Sequence, residues 1–307
     1  MRTVSAAARS VQVPVSAILM ICGSVLCFTI LDSITKYTSQ LYPVPVLVWA
    51  RYVVQFVAVM IWLGRGGGRR VFRTSKLQLH LIRGAMLLAS SLSFVTGLRS
   101  LPLAEATALV YSSPLLVVLM AWLFLEERLT RARLAFVLAG AAGMLLIVRP
   151  GTAVFQGAAL FAIGAAGFYA VYQILTRKMA GEDPRSLLLY PAIVGTLIMS
   201  GLAPTFDWPA TMPWYHMVLI VFGALCGTCG HLLFIVAFRH GPASALTPYN
   251  YMQLVWATLI GWAVYATFPD AWTLAGMAVI AGAGLLIAVQ ERRRAALTPV
   301  AEPVAVD

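Results

Sequence analysis

The sequence predicts an all-α polytopic membrane protein, with ten transmembrane helices arranged as two inverted five-helix repeats. Three observations carry that prediction. Hydrophobic residues make up 61% of the 307-residue chain and charged residues 11%, with a mean hydropathy of +0.86. A soluble fold could not hide that much apolar surface. The apolar residues fall into stretches of roughly 20, the length a helix needs to cross a bilayer, with none of the alternation of a membrane barrel. Finally, the chain repeats itself without a gap. Arg99 meets Arg239, Pro102 meets Pro242, Thr107 meets Thr247, Tyr111 meets Tyr251 and Trp122 meets Trp262, a constant offset of 140.

The first apolar stretch, 14–34, follows Arg2 and Arg9 as a signal peptide would. It is long, lacks a small-residue cleavage site and is followed by more of the same, so it reads as a retained helix. The second, 45–64, ends in the basic loop "GRGGGRR" at 64–70, which follows no strand and opens no phosphate-binding helix. The third spans 79–98. The fourth, 102–123, opens at Pro102 and contains Pro114; the fifth, 131–148, follows the charged turn "EERLTRAR" and stops at "RPG". The second repeat supplies 155–176, 187–206, 215–237, 242–266 and 271–290, the last preceded by "FPDAW". The organisation predicted is a cytoplasmic N-terminus at 1–13, repeats at 14–150 and 151–290, and a disordered cytoplasmic tail at 291–307.

A net charge of +11 would suit a nucleic-acid binder, but its distribution argues for topology. Arg and Lys crowd the N-terminus and the segments at 65–76, 128–133, 177–185, 239 and 292–294. The opposite side holds only Lys36, Arg51, Arg99 and Arg149. The positive-inside rule then predicts both termini in the cytoplasm, with no nucleic-acid partner. Cys226 and Cys229 have redox spacing, but without a second pair or histidines at ligand spacing they read as small packing residues.

An odd number of helices per repeat turns the second copy upside down in the membrane, a common construction of secondary transporters. The stretch "LPLAEATALVYSSPLLVVLMAWLFLEERLTRARLAFVLAGAAGMLLIVRPG" at 101–151 resembles the EamA branch of the drug/metabolite transporter superfamily. "FTILDSITKYTSQLYPVPVLVWARY" at 28–52 does so less closely. The resemblance implies an inner-membrane permease with a central cavity between its halves and no bound cofactor. The D-x-x-x-K and "WAR" patterns resemble a subgroup of riboflavin and S-adenosylmethionine importers.

Ionisable groups in the bilayer core are costly, so each demands an account. Asp32 and Lys36 are four apart, acid first, the favourable order for a helical ion pair. A coupling or counter-ion role is the alternative for Asp32, and a cationic anchor role for Lys36 with Arg51. Glu105 opens the fourth helix, where the dipole favours a carboxylate; its repeat mate is Ala245, and the alternatives are a counter-ion to Arg51 or Lys36 or a proton-coupling group without a counterpart in the second repeat. The ninth helix carries Tyr249, Asn250, Gln253 and Trp256 at helical spacing, where the fourth has Leu109, Val110, Ser113 and Leu116. With Tyr111 and Gln173 these make a hydrogen-bonding and stacking wall; Tyr169, Tyr172 and His231 are placed to face the same space. The function expected is secondary transport of a small polar metabolite by alternating access, with riboflavin import leading and export of amino-acid-like metabolites as the rival. No catalytic or metal-binding constellation is present in the sequence; a thiol oxidoreductase on Cys226 and Cys229 is the enzyme alternative. The partners expected are the substrate and membrane lipid, with a homodimer left open.

Overall fold

The computed structural model describes residues 14–64, 69–72, 74–125, 130–151, 157–179, 181–240 and 246–297. Arg2, Arg9, most of the glycine-rich loop, residues 126–128, Pro242, Ala245 and the tail from Thr298 lie outside them. Every regular element described is a helix. The first half comprises α1 (Val15–Ser39), α2 (Val44–Gly64), a 3-10 turn at Arg69–Phe72, α3 (Leu77–Ser100), α4 (Leu103–Val110), α5 (Ser113–Leu125) and α6 (Arg131–Val148). The second comprises α7 (Ala158–Lys178), α8 (Pro184–Leu202), a 3-10 turn at Ala203–Thr205, α9 (Trp214–His240), a 3-10 turn at Thr247–Tyr251, α10 (Met252–Tyr265) and α11 (Ala271–Leu297). With α4 and α5 counted as one crossing, nine of the described helices are long and apolar enough to span a membrane. The Thr247–Tyr251 turn and α10 occupy the place of the tenth.

Four elements differ from the sequence reading: α11 runs on to Leu297, past the expected end at 290 and into the stretch read as a disordered tail, and the other three differ for local reasons. Helix α1 runs on to Ser39 because its polar end caps itself: Thr35, Thr38 and Ser39 donate back to the carbonyls of Leu31, Ile34 and Lys36. The expected fourth helix is broken at Tyr111 and Ser112. Pro114 has no N–H for the Val110 carbonyl, and the Ser112 hydroxyl closes the turn on Leu109 O at 2.6 Å. At the matching position of the second repeat, the 3-10 turn containing Pro248 gives way to α10. Tyr111 and Tyr251, repeat mates at the two breaks, meet edge to face at 5.6 Å.

The packing is symmetric about the exchange of halves. Helix α1 lies along α9 as α7 lies along α3; α2 packs on α9 as α8 does on α3; α2 pairs with α8 and α6 with α11. The caps repeat too. The Thr130 hydroxyl accepts from the Arg133 N–H at the start of α6, and the Asp270 carboxylate accepts from the Thr273 N–H at the start of α11. Small residues allow the α6–α11 approach: a Cβ added at Gly143 would sit 2.9 Å from the Gly276 carbonyl oxygen. Close backbone contact of this kind is how helices pack in lipid, where no hydrophobic force drives them together.

Candidate functional site

A cavity of about 580 Å³ lies between the two halves, lined by residues of both. It runs from Asp32, Phe94 and Thr107 at mid-depth towards Arg177, Leu187 and Phe238, near the end where α1 begins. Its volume falls in the roughly 300–1,000 Å³ range of small-molecule sites. The opposite end is closed. There the Lys36 ammonium donates to the carbonyls of Leu98 and Leu101 at 3.1 and 2.6 Å, and the Gln40 amide donates to Arg99 O. The Tyr265 hydroxyl donates to Ser33 O at 2.5 Å, and Arg149 pairs with Asp270 at 2.7 Å.

Asp32, Arg51, Tyr111, Gln173, Asn250 and Gln253 all line the cavity, as do Tyr169, Tyr172 and His231. Lys36, Glu105, Tyr249 and Trp256 do not. The Asp32–Lys36 helical pair does not form: Lys36 caps the C-terminal carbonyls of α3, while Asp32 accepts from the Gln253 amide at 3.3 Å. Glu105 sits in the first turn of α4, in the electrostatic neighbourhood of Lys36, Arg149 and Asp270 at the closed end. Tyr249 is 38% exposed, and the Trp256 indole N–H is buried without a partner among the described residues. The four cysteines are free thiols.

Two constructions dominate the cavity wall. The first is a chain across the halves: the Tyr111 hydroxyl donates to Gln253 Oε1 at 2.7 Å, and Gln253 Nε2 donates to Asp32 Oδ2. The second is a ladder built on Arg83, a residue the sequence analysis does not single out. Arg83 is 2% exposed and donates to the Thr176 hydroxyl, the Leu187 carbonyl and the Tyr172 hydroxyl at 2.7–2.8 Å. Its guanidinium lies over the Tyr172 ring at 4.5 Å, and that ring stacks on Tyr169 at 5.5 Å with a 17° tilt. The Leu187 carbonyl is available because Pro191, four residues on, has no N–H to give it. An arginine inside an apolar span signals that a partner must exist, and the fold decides which one.

Other polar groups on the wall are already occupied. Ser90 donates to Ala165 O, Thr107 to Leu103 O and Thr176 to Tyr172 O. Arg51 forms no hydrogen bond or ion pair among the described residues, and the buried Asn250 amide oxygen has no partner there. What the wall offers an occupant is therefore a cation and a face of stacked phenols.

The model of the EamA-like transporter family matches residues 15–149 and again 156–289. The chain belongs to the EamA-like transporter family. The two matched blocks are the two halves that face each other across the cavity. Among curated relatives, a riboflavin transporter of Brucella anthropi is 30% identical over 257 residues, covering 81% of this chain and 89% of that one. An S-adenosylmethionine uptake transporter of Rickettsia bellii is 28% identical over 227 residues, covering 74% and 77%. A pseudopaline exporter, CntI, of Pseudomonas aeruginosa is 27% identical over 256 residues, covering 82% and 89%. A solved crystal structure superposes with a TM-score of 0.61 at 23% identity, covering 91% of this chain and 99% of that one, and shares the fold.

Proposed function

We propose that this membrane transporter imports a planar, hydrogen-bonding heterocyclic metabolite, riboflavin or a close analogue, across a bacterial inner membrane by alternating access. The observation that carries the reading is the composition of the cavity wall. A flat aromatic face at Tyr169 and Tyr172 stands beside the uncommitted guanidinium of Arg51. A guanidinium offers a donor fork to ring carbonyls. Stacked aromatic rings add roughly 0.5–1.5 kcal/mol per pair beyond the area they bury.

Charge separates this substrate from a cationic one. Arg51 and Arg83 line the cavity against the single carboxylate of Asp32 among the described residues, so a sulfonium or polyamine would meet net repulsion. The orientation follows the positive-inside rule, with both ends of the chain in the cytoplasm. The cavity then reaches towards the cytoplasmic side, and the Lys36, Tyr265 and Arg149 contacts close the outer side. The activity proposed is transport without catalysis. Direction is assigned from the names of the uptake relatives.

Growth of a riboflavin auxotroph at limiting riboflavin tests the proposal. Rescue by the wild type and not by Arg51→Gln, with both proteins present in the membrane, is the expected result. Failure of the wild type to rescue would remove riboflavin import.

A further inference from the structure

Resting on the transporter reading, we propose that transport is coupled to protons and that Asp32 carries the proton, while Gln253 reports the protonation of Asp32 to the cargo site by reversing its amide. The position of Asp32 is the first argument. It is the only carboxylate on the cavity wall among the described residues, and it is 8% exposed. Glu105, the other acid of the bundle interior, lies outside the cavity at the closed end. A proton entering the cavity therefore meets one carboxylate among the described residues.

The second argument is the polarity of the hydrogen-bond chain. The Tyr111 hydroxyl occupies Gln253 Oε1, which leaves Nε2 to face Asp32 Oδ2. That arrangement suits an ionised Asp32, which only accepts. Once Asp32 is protonated, its O–H needs an acceptor. Rotation of the Gln253 amide supplies one, because Oε1 then accepts from Asp32 and Nε2 donates to the Tyr111 oxygen. Tyr111 changes from donor to acceptor, and its own hydroxyl proton becomes free to point into the cavity. One proton is taken onto the carboxylate from one side and released to the other after the halves move. No other bond is made or broken.

The third argument is the symmetry. Ser113 is the repeat mate of Gln253, and Gln173 is the mate of Ser33, next to Asp32. Gln173 Nε2 donates to Ser113 Oγ at 3.4 Å, between α7 and α5. The chain thus keeps this bond between corresponding helices twice and places a titratable group in it once. Facing Asp32 from the other elements are Arg51 on α2, Tyr111 beyond α4 and Gln253 on α10, with His231 of α9 on the same wall. Arg51 is the single cation among these. Its attraction for a cargo acceptor rises when Asp32 is neutralised, so protonation and cargo binding favour each other.

The test uses the purified full chain in proteoliposomes with radiolabelled riboflavin, alongside infrared pH titration of the same protein without cargo. For one proton per neutral cargo, an inward gradient of one pH unit drives about tenfold accumulation by the wild type. Asp32→Asn is expected to abolish the pH-driven part, Asp32→Glu to restore it, and Glu105→Gln to leave it unchanged. Tyr111→Phe, which keeps the acid and removes the last link, is also expected to lose it. The infrared carboxylic-acid band that titrates in the wild type should be absent in Asp32→Asn. Persistence of pH-driven accumulation or of that band in Asp32→Asn would overturn the proposal. A wild type that does not move riboflavin but shows the Asp32-dependent band would remove the substrate reading and leave the proton site standing.

Discussion

The contact between Arg83 and the Leu187 carbonyl gives a prediction whose size can be worked out. Arg83→Met removes three charge-assisted bonds, but their acceptors do not suffer equally. Thr176 keeps its own bond to Tyr172 O, and the Tyr172 hydroxyl borders the cavity, where water can replace the guanidinium. The Leu187 carbonyl has no alternative donor within its helix, because residue 191 is proline, and since Leu187 also borders the cavity, water recovers only part of the loss. An unpaired carbonyl costs about 1–3 kcal/mol. Pro191→Ala would supply the missing N–H and restore the ordinary helical bond. In the wild-type background that N–H competes for an acceptor already filled. In the Arg83→Met background it removes the whole penalty. The gain in helix propensity from losing proline is common to both backgrounds and cancels in the cycle. The double-mutant cycle should therefore show a coupling of about 1–2 kcal/mol, with Pro191→Ala rescuing Arg83→Met. The assay is equilibrium unfolding of the four proteins in mixed detergent micelles. Additivity within about 0.5 kcal/mol would refute the assignment.

Three further outcomes are expected. Gly143→Ala, whose Cβ would press on the Gly276 carbonyl oxygen and on Ile280, should cost about 1–3 kcal/mol; Gly167→Ala in α7, with open space around it, should be neutral or stabilising by up to about 1 kcal/mol. Lys36→Met should loosen the closed end by leaving the Leu98 and Leu101 carbonyls unpaired, seen as faster hydrogen exchange in the last turn of α3, while unchanged exchange would deny Lys36 its capping role. At the loop before α11, the Thr273 backbone N–H, helped by Arg149, holds the Asp270 carboxyl below the usual aspartate range. A depressed folded-state value adds stability above the unfolded value, about 3.9, and that stability is lost as pH falls through the folded value. Because Asp270 is half exposed, the effect is small. Asp270→Asn should flatten this part of the acid unfolding curve, and an identical curve would dissociate Asp270 from it.

The fold class was legible because it rests on bulk properties, apolar spans of membrane length and an ungapped repeat, which survive local irregularity. The cavity was legible in part. Asp32, Arg51, Tyr111, Gln173, Asn250 and Gln253 were found because uncharged amides, phenols and ions inside apolar spans need partners. The phase of the ninth helix misled. Its stripe assumed 3.6 residues per turn from Tyr249 onward, whereas Thr247–Tyr251 is a 3-10 turn with three. Tyr249 is rotated to the surface, while Asn250 and Gln253 keep the cavity. Lys36 and Glu105 were placed correctly along their helices, but one dimension cannot tell the closed end from the cavity beside it. Arg83 was not singled out, because its partner, a carbonyl released by a proline over a hundred residues away, leaves no local pattern.

The most direct test of the central claim is uptake of radiolabelled riboflavin into proteoliposomes containing the purified wild type, Arg51→Gln and Tyr169→Leu. The account predicts saturable uptake by the wild type, loss with Arg51→Gln, and a weakened apparent affinity with Tyr169→Leu, where the stacking face is removed. Uptake indifferent to both substitutions, or S-adenosylmethionine carried in place of riboflavin, would contradict it.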